Sequence, residues 1–114
     1  MKNQVNNSDK LTNTIWVSRV APECVDTLKF LKNGRLTSYS CEIEYQAKGN
    51  YTVKADTVIA FVNEDFHGDV ENWRYTYVQK NDKLILIRSE QKFKGKWRLI
   101  KGNFEQNYTL RKIK

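Results

Sequence analysis

The side chains with most chemical potential in this chain are aromatic and cationic, and they fall in two stretches. In "WRYTYVQKNDKLILIRS" (73–89), Trp73, Tyr75 and Tyr77 recur at every second position, and Arg88 follows Leu84 and Leu86. Rings beside one inward guanidinium would hold a small apolar molecule that carries a carboxylate. In "QKFKGKWRLIK" (91–101), Lys92, Lys94, Lys96 and Arg98 are interleaved with Phe93 and Trp97. That is the composition of a surface that stacks bases and neutralises phosphates. Both readings turn on which way the side chains point.

Catalytic chemistry is poorly supplied, and the chain reads as a non-enzyme. The single histidine, His67, sits in the turn-like "FHGD", where no local pattern offers it a nucleophile. One His and two separated Cys fall short of an ordinary zinc site. "NEDFHGD" lacks the alternating acidic spacing of a calcium loop, and no Walker or dinucleotide glycine pattern occurs. No metal or cofactor is expected. Glu42, Glu44, Asp56 and Glu64 could meet after folding, but Glu42 and Glu44 fall on the outward parity of their strand.

The elements that position these residues are strands. A chain of 114 residues has room for one core, read as a polar tail or tether (1–10) followed by a single domain (11–114). One proline is present, and turn signals recur at short intervals between β-rich runs. No helical stripe persists, so at most a short helix or 3-10 turn is expected. The strands are "NTIWVSRV", two about Asn33-Gly34, two turning near Lys54–Asp56, two turning at Asn81-Asp82, then "KFKGKWRLI" and "NYTLRKIK". "NEDFHGDVEN" is read as a loop. About eight sequential antiparallel strands abolish their edges by closing into an up-and-down barrel, so the predicted fold is all-β. The longest apolar run is the five-residue "VIAFV" at 58–62, with "LILI" at 84–87 next, so nothing spans a bilayer as a helix. The first ten residues lack the apolar centre of a signal peptide, which leaves a cytoplasmic protein or an exported one already processed.

Turn geometry then assigns faces. A two-residue turn at Asn81-Asp82 sets Tyr77 opposite Leu86 and Tyr75 opposite Arg88. Trp73, Tyr75, Tyr77, Leu84, Leu86 and Arg88 share that face, which is taken as the interior. Thr76, Val78, Ile85 and Ile87 make a competing apolar face. A two-residue turn at Asn33-Gly34 sets Leu28 opposite Tyr39, which adds Tyr39 to the candidate ligand-facing residues. It also makes Cys24 and Cys41 diagonal neighbours. A slip or bulge near Pro22 would bring them within the ~4.4–6.8 Å Cα separation a disulfide needs; a reducing cytoplasm would instead leave two buried thiols.

Between 92 and 99 the alternation puts Lys92, Lys94, Lys96 and Arg98 on one face and Phe93, Gly95, Trp97 and Leu99 on the other. Read as one strand, with Gly95 its weak point, this stretch is barrel wall with its aromatics in the core. Charge keeps a second function open. Residues 1–82 carry 10 Lys/Arg against 11 Asp/Glu, and residues 83–114 carry 10 against 2. Such asymmetry fits nucleic acid, an anionic membrane surface or an acidic ligand, or simply a solvated face whose lysines protect edges. A nucleic-acid-binding barrel is therefore the alternative function.

"LTNTIWVS" (11–18) resembles the first strand of lipocalin-like β-barrels, and more narrowly the small lipocalin-like (calycin-type) domains of bacterial envelope proteins. These open with an L-x-G-T-x-W or G-x-W signature, matched here by Leu11, Thr14 and Trp16, with Asn13 at the glycine place. "DTLKFLKNGRLTSYSCEIEY", "GNYTVKADTV" and "NYTLRKI" are similar to the family's second and third strands, next hairpin and closing strand. The resemblance implies that Trp16 packs across the closed end under a basic side chain, for which Arg111 is the candidate. It also implies a binding domain for a small hydrophobic or amphipathic ligand, or a filled barrel acting as an interaction module. The implied setting is the periplasm or outer membrane, as a processed or lipid-tethered protein.

Overall fold

Turns organise this chain. Asn33, Ala55, Asn81 and Lys94 each adopt a left-handed backbone, with φ of 64°, 56°, 56° and 52°, and each sits where one strand reverses into the next. The computed structural model describes residues 11–66, 68–101 and 106–111; the 1–10 segment and His67 lie outside them. The strands are β1 (Thr14–Ala21), β2 (Cys24–Leu31), β3 (Arg35–Ser40), β4 (Tyr45–Lys54), β5 (Thr57–Phe66), β6 (Asp69–Lys80), β7 (Lys83–Phe93), β8 (Lys96–Leu99) and β9 (Asn107–Arg111). A 3-10 turn at Lys32–Gly34 joins β2 to β3.

Each strand from β1 to β7 pairs antiparallel with the next, and β9 lies between β7 and β1. These eight strands close a ring, the predicted all-β barrel. The ninth, β8, pairs with β7 only at Glu90–Phe93 and stands outside the ring as the return arm of a hairpin.

Three local expectations are corrected. First, the loop at Lys32–Gly34 has three residues, not two: Leu31 pairs with Arg35 and Phe30 with Leu36. One extra residue reverses the side-chain parity of β3. Second, the acidic stretch 63–72, read as a loop, is mostly ladder, with Asn63 opposite Asn72 and Asp65 opposite Val70. Pairing with a neighbouring strand here overrides the low intrinsic β-propensity of Asp and Asn. Third, "KFKGKWRLI" is a hairpin. Lys94 and Gly95, φ 52° and 80°, form a two-residue turn in which Phe93 faces Lys96 and Lys92 faces Trp97.

The core follows the inward parity of the ring. Leu11, Trp16, Leu28, Phe30, Leu36, Val58 and Leu84 are essentially fully buried, and Tyr77 and Tyr108 join them. Gly49 on β4 permits the tightest approach between strands. A Cβ there would lie 1.9 Å from the Phe61 carbonyl oxygen of β5, so only glycine lets β4 bend this closely over its neighbour.

Candidate functional site

The antiparallel order gives the barrel two unlike ends. The start of β1 and the β2–β3, β4–β5 and β6–β7 turns gather at one, which is plugged. Leu11, Trp16 and Phe30 fill it, Phe30 meets Tyr51 edge-on at 4.8 Å, and the Tyr51 hydroxyl donates to the Leu31 carbonyl at 3.3 Å. The Trp16 indole N–H donates to Thr14 Oγ1 at 2.9 Å, so its polar edge is satisfied in place. Arg111 does not cover it. Leu110 pairs with Trp16, whereas Arg111 pairs with Ile15 on the opposite, outward face and is exposed. The contact that the resemblance implied is made by an aliphatic side chain instead.

At the other end Trp73, Tyr75 and Tyr77 climb one face of β6 from the rim to the centre. The Trp73 and Tyr75 rings are stacked, 5.7 Å apart and within 3° of parallel. Tyr77 lies 6.4 Å below Tyr75 and meets Tyr108 edge-on at 6.0 Å. Beside them is a cavity of about 230 Å³ lined by Trp73, Tyr75, Leu86, Ser89, Ile100 and Gln106. The aromatic face of β6 is therefore the inner one, and Thr76, Val78, Ile85 and Ile87 belong to the other.

Arg88 is not in this cavity. A bulge at Ile87 pairs Tyr77 with Leu86 but Thr76 with Arg88 and Tyr75 with Ser89. The inserted residue flips the parity of everything after it, so Arg88 points outward and contacts Glu90 at 3.3 Å. Tyr39 is likewise on the outer face, opposite Thr27 and Gln46, because the three-residue turn shifts β3 by one.

Two carboxylates face the mouth. Glu64 and Glu71 are cross-strand partners on the same parity as Val62 and Trp73. The Trp73 indole N–H donates to Glu71 Oε1 at 3.3 Å. Burial, reinforced by the charge of Glu71 and opposed by the Trp73 indole, raises the Glu64 pKa above the usual carboxyl range. Deeper in, burial raises the Tyr75, Tyr77 and Tyr108 hydroxyls, so all three are neutral donors at physiological pH. Asp26 ties the rim together: its carboxylate accepts from the Cys41 backbone N–H and from Gln106 Nε2, each at 2.9 Å. Next to it Cys24 and Cys41 are joined by a disulfide with Cα atoms 5.4 Å apart.

The outer face of β6 and β7 holds a separate charged cluster. Glu90 receives two hydrogen bonds from Arg74, at 2.7 and 2.9 Å. It is covered by side chains lying on the barrel surface, and the Arg74 guanidinium lies 4.6 Å from the centre of the Trp97 ring. The Arg74 hydrogen bond holds the Glu90 carboxyl below its ordinary range against the effect of burial.

Some of this was within reach of the sequence. Had 63–72 been read as strand, the parity of Trp73 would have carried Glu71 and Glu64 inward. Ile100 and Gln106 reach the mouth through a non-local return of the chain and have no local signature. Glu42 and Glu44 are exposed, but they lie in the turn between β3 and β4, where Ile43 between them is exposed as well, so strand parity is not the reason. Among the described residues no group of three His, Cys, Asp or Glu side chains converges as metal ligands, and no helix is long and apolar enough to cross a membrane.

Fold and site together define a closed, eight-stranded antiparallel barrel, plugged at one end and aromatic-lined at the other. Comparison with protein-family models, with curated proteins and with solved structures finds no significant match for this chain.

Proposed function

We propose that this protein is a non-catalytic, lipocalin-like binding domain that takes up a small hydrophobic or amphipathic molecule at the open end of its barrel. The observation that carries the reading is the cavity beside the stacked Trp73 and Tyr75 rings, in a barrel whose opposite end is filled. Asn13 adds support. It takes φ 65° at the glycine place of the signature that opens lipocalin-like strands, and Asn tolerates that conformation better than most residues.

The volume limits the ligand. About 230 Å³ is below the roughly 300–1,000 Å³ of drug-sized sites, so one ring or a short alkyl segment enters and the rest stays at the rim. With Arg88 outside and Glu64 and Glu71 at the mouth, the polar end of that ligand is neutral or cationic. The Cys24–Cys41 bridge supports a setting outside the reducing cytoplasm, such as the cell envelope.

The test is a titration of tryptophan fluorescence and native mass with a matched set of benzyl alcohol, benzylamine and phenylacetate. Uptake of the neutral and cationic members, lost in Trp73→Ala and Tyr75→Ala, is expected. Failure to take up any member would remove the binding function and leave a filled barrel serving as an interaction module.

A further inference from the structure

The β7–β8 hairpin does something the ligand cavity does not require. It projects from the open end with no acidic residue between 91 and 101 and with Lys92, Lys94, Lys96, Arg98 and Lys101 along it. Because its partners are Phe93–Lys96, Lys92–Trp97 and Gln91–Arg98, the turn reverses the alternation of the sequence. Phe93 shares a face with Lys96 and Arg98, and Trp97 shares the other with Lys92. Cations and aromatics that one strand would segregate are brought side by side. Phe93 is 51% exposed beside the turn, and Leu99, on the opposite face, is 49% exposed. Ile87, just below on β7, is also open to solvent.

We propose that this hairpin is a docking wedge for an anionic phospholipid surface. Apolar side chains on both faces of a narrow hairpin suit a medium that surrounds it, whereas a flat partner would need them on one face. The cations sit at the level of the rings, where a bilayer presents its phosphates, and aromatic residues favour that interfacial depth. Nucleic acid is the poorer occupant because the rings are already engaged. Arg98 and Lys94 lie 5.3 and 5.5 Å from the Phe93 ring centre. Trp97 has Arg74 at 4.6 Å and Phe61 edge-on at 6.1 Å. A base would have to displace a cation from either ring before it could stack there. The adjoining β5–β6 hairpin, with Asp65 and Asp69 exposed, is repelled by the same surface, so docking is tilted toward β8.

The experiment is sedimentation of the whole protein with vesicles of phosphatidylcholine alone or with added phosphatidylserine. Binding to the anionic vesicles only, weakening with salt, is expected. Each cation near such a surface contributes about a fivefold factor, so Lys94→Gln with Lys96→Gln lowers the partition coefficient about 25-fold. Phe93→Ser lowers it about tenfold or more through lost apolar insertion. Lys29→Gln with Lys48→Gln, which removes the same charge on distant strands, changes it less than about threefold. Phe93→Trp keeps an aromatic tip, and on vesicles with brominated acyl chains its fluorescence should be quenched. Absence of binding, equal loss in the distant double variant, or absence of quenching overturns the proposal. So does tighter binding to a single-stranded oligonucleotide than to anionic vesicles at the same salt.

Discussion

Two glutamates in this barrel respond to acid in opposite senses. Glu64 has a raised pKa, chiefly from burial, so the stability it gives is present below the usual carboxyl range and lost as pH rises through its folded value. Glu90 has a lowered pKa, chiefly from Arg74, so its contribution is present above the usual range and lost as pH falls through its folded value. Glu64→Gln should therefore raise the melting temperature at pH 7, with the gain vanishing well below pH 4. Glu90→Gln should lower it at pH 7, and that deficit should shrink on acidification. Thermal melts of the three proteins across pH measure both. Parallel curves for the two variants would mean that the carboxylates do not stand in the surroundings described.

At the scale of elements, bends and turns carry more of the specificity than strand composition does. Gly49 is the sharpest case. A methyl group there would overlap the backbone of β5, which cannot yield as a flexible side chain would, so Gly49→Ala should destabilise by about 3 kcal/mol or more. A denaturant melt close to that of the parent would show that β4 relaxes instead. The same scale explains what was legible in the sequence. The sequential pairing of β1 to β7, the Asn81-Asp82 turn and the inward run of Trp73, Tyr75 and Tyr77 follow from period-2 patterning and turn residues. Three single-residue events did not: the third residue in the Lys32–Gly34 turn, the bulge at Ile87 and the reversal at Lys94–Gly95. Each changes parity by one. Together they moved Tyr39 and Arg88 outward and mixed cations with aromatics on β8. Patterning fixes which residues alternate, but it cannot count an inserted residue whose reason lies in barrel curvature. Lys-Gly between two β-rich runs was the readable signal of the three.

For the whole molecule, the decisive contact is the seam where β9 meets β1. Trp16 and Leu110 face each other there, with Trp16 in the plugged end. Trp16→Ala should cost about 3–5 kcal/mol and Leu110→Ala about 2. Because the two side chains are cross-strand neighbours, the double variant should depart from the sum. Arg111→Ala, on the outer face, should change stability by less than about 0.5 kcal/mol. Equilibrium denaturation of these variants is the check, and a costly Arg111→Ala would restore the cation to the closed end.

That seam also sets the order in which the barrel assembles. Every pairing from β1 to β7 joins neighbours along the chain, so each hairpin closes a short loop and can form early. Only β9 must return across nearly the whole sequence, and among the described residues it is held by three residue pairs on each side. A long search for a short reward places ring closure late in folding and makes it the first step to reverse. In hydrogen exchange, amides along the β1–β9 seam should trade deuterium well before those of β5 and β6, the most extensively paired neighbours in the ring. The barrel would then breathe by unlatching at one strand, with its hairpin ladder intact behind it.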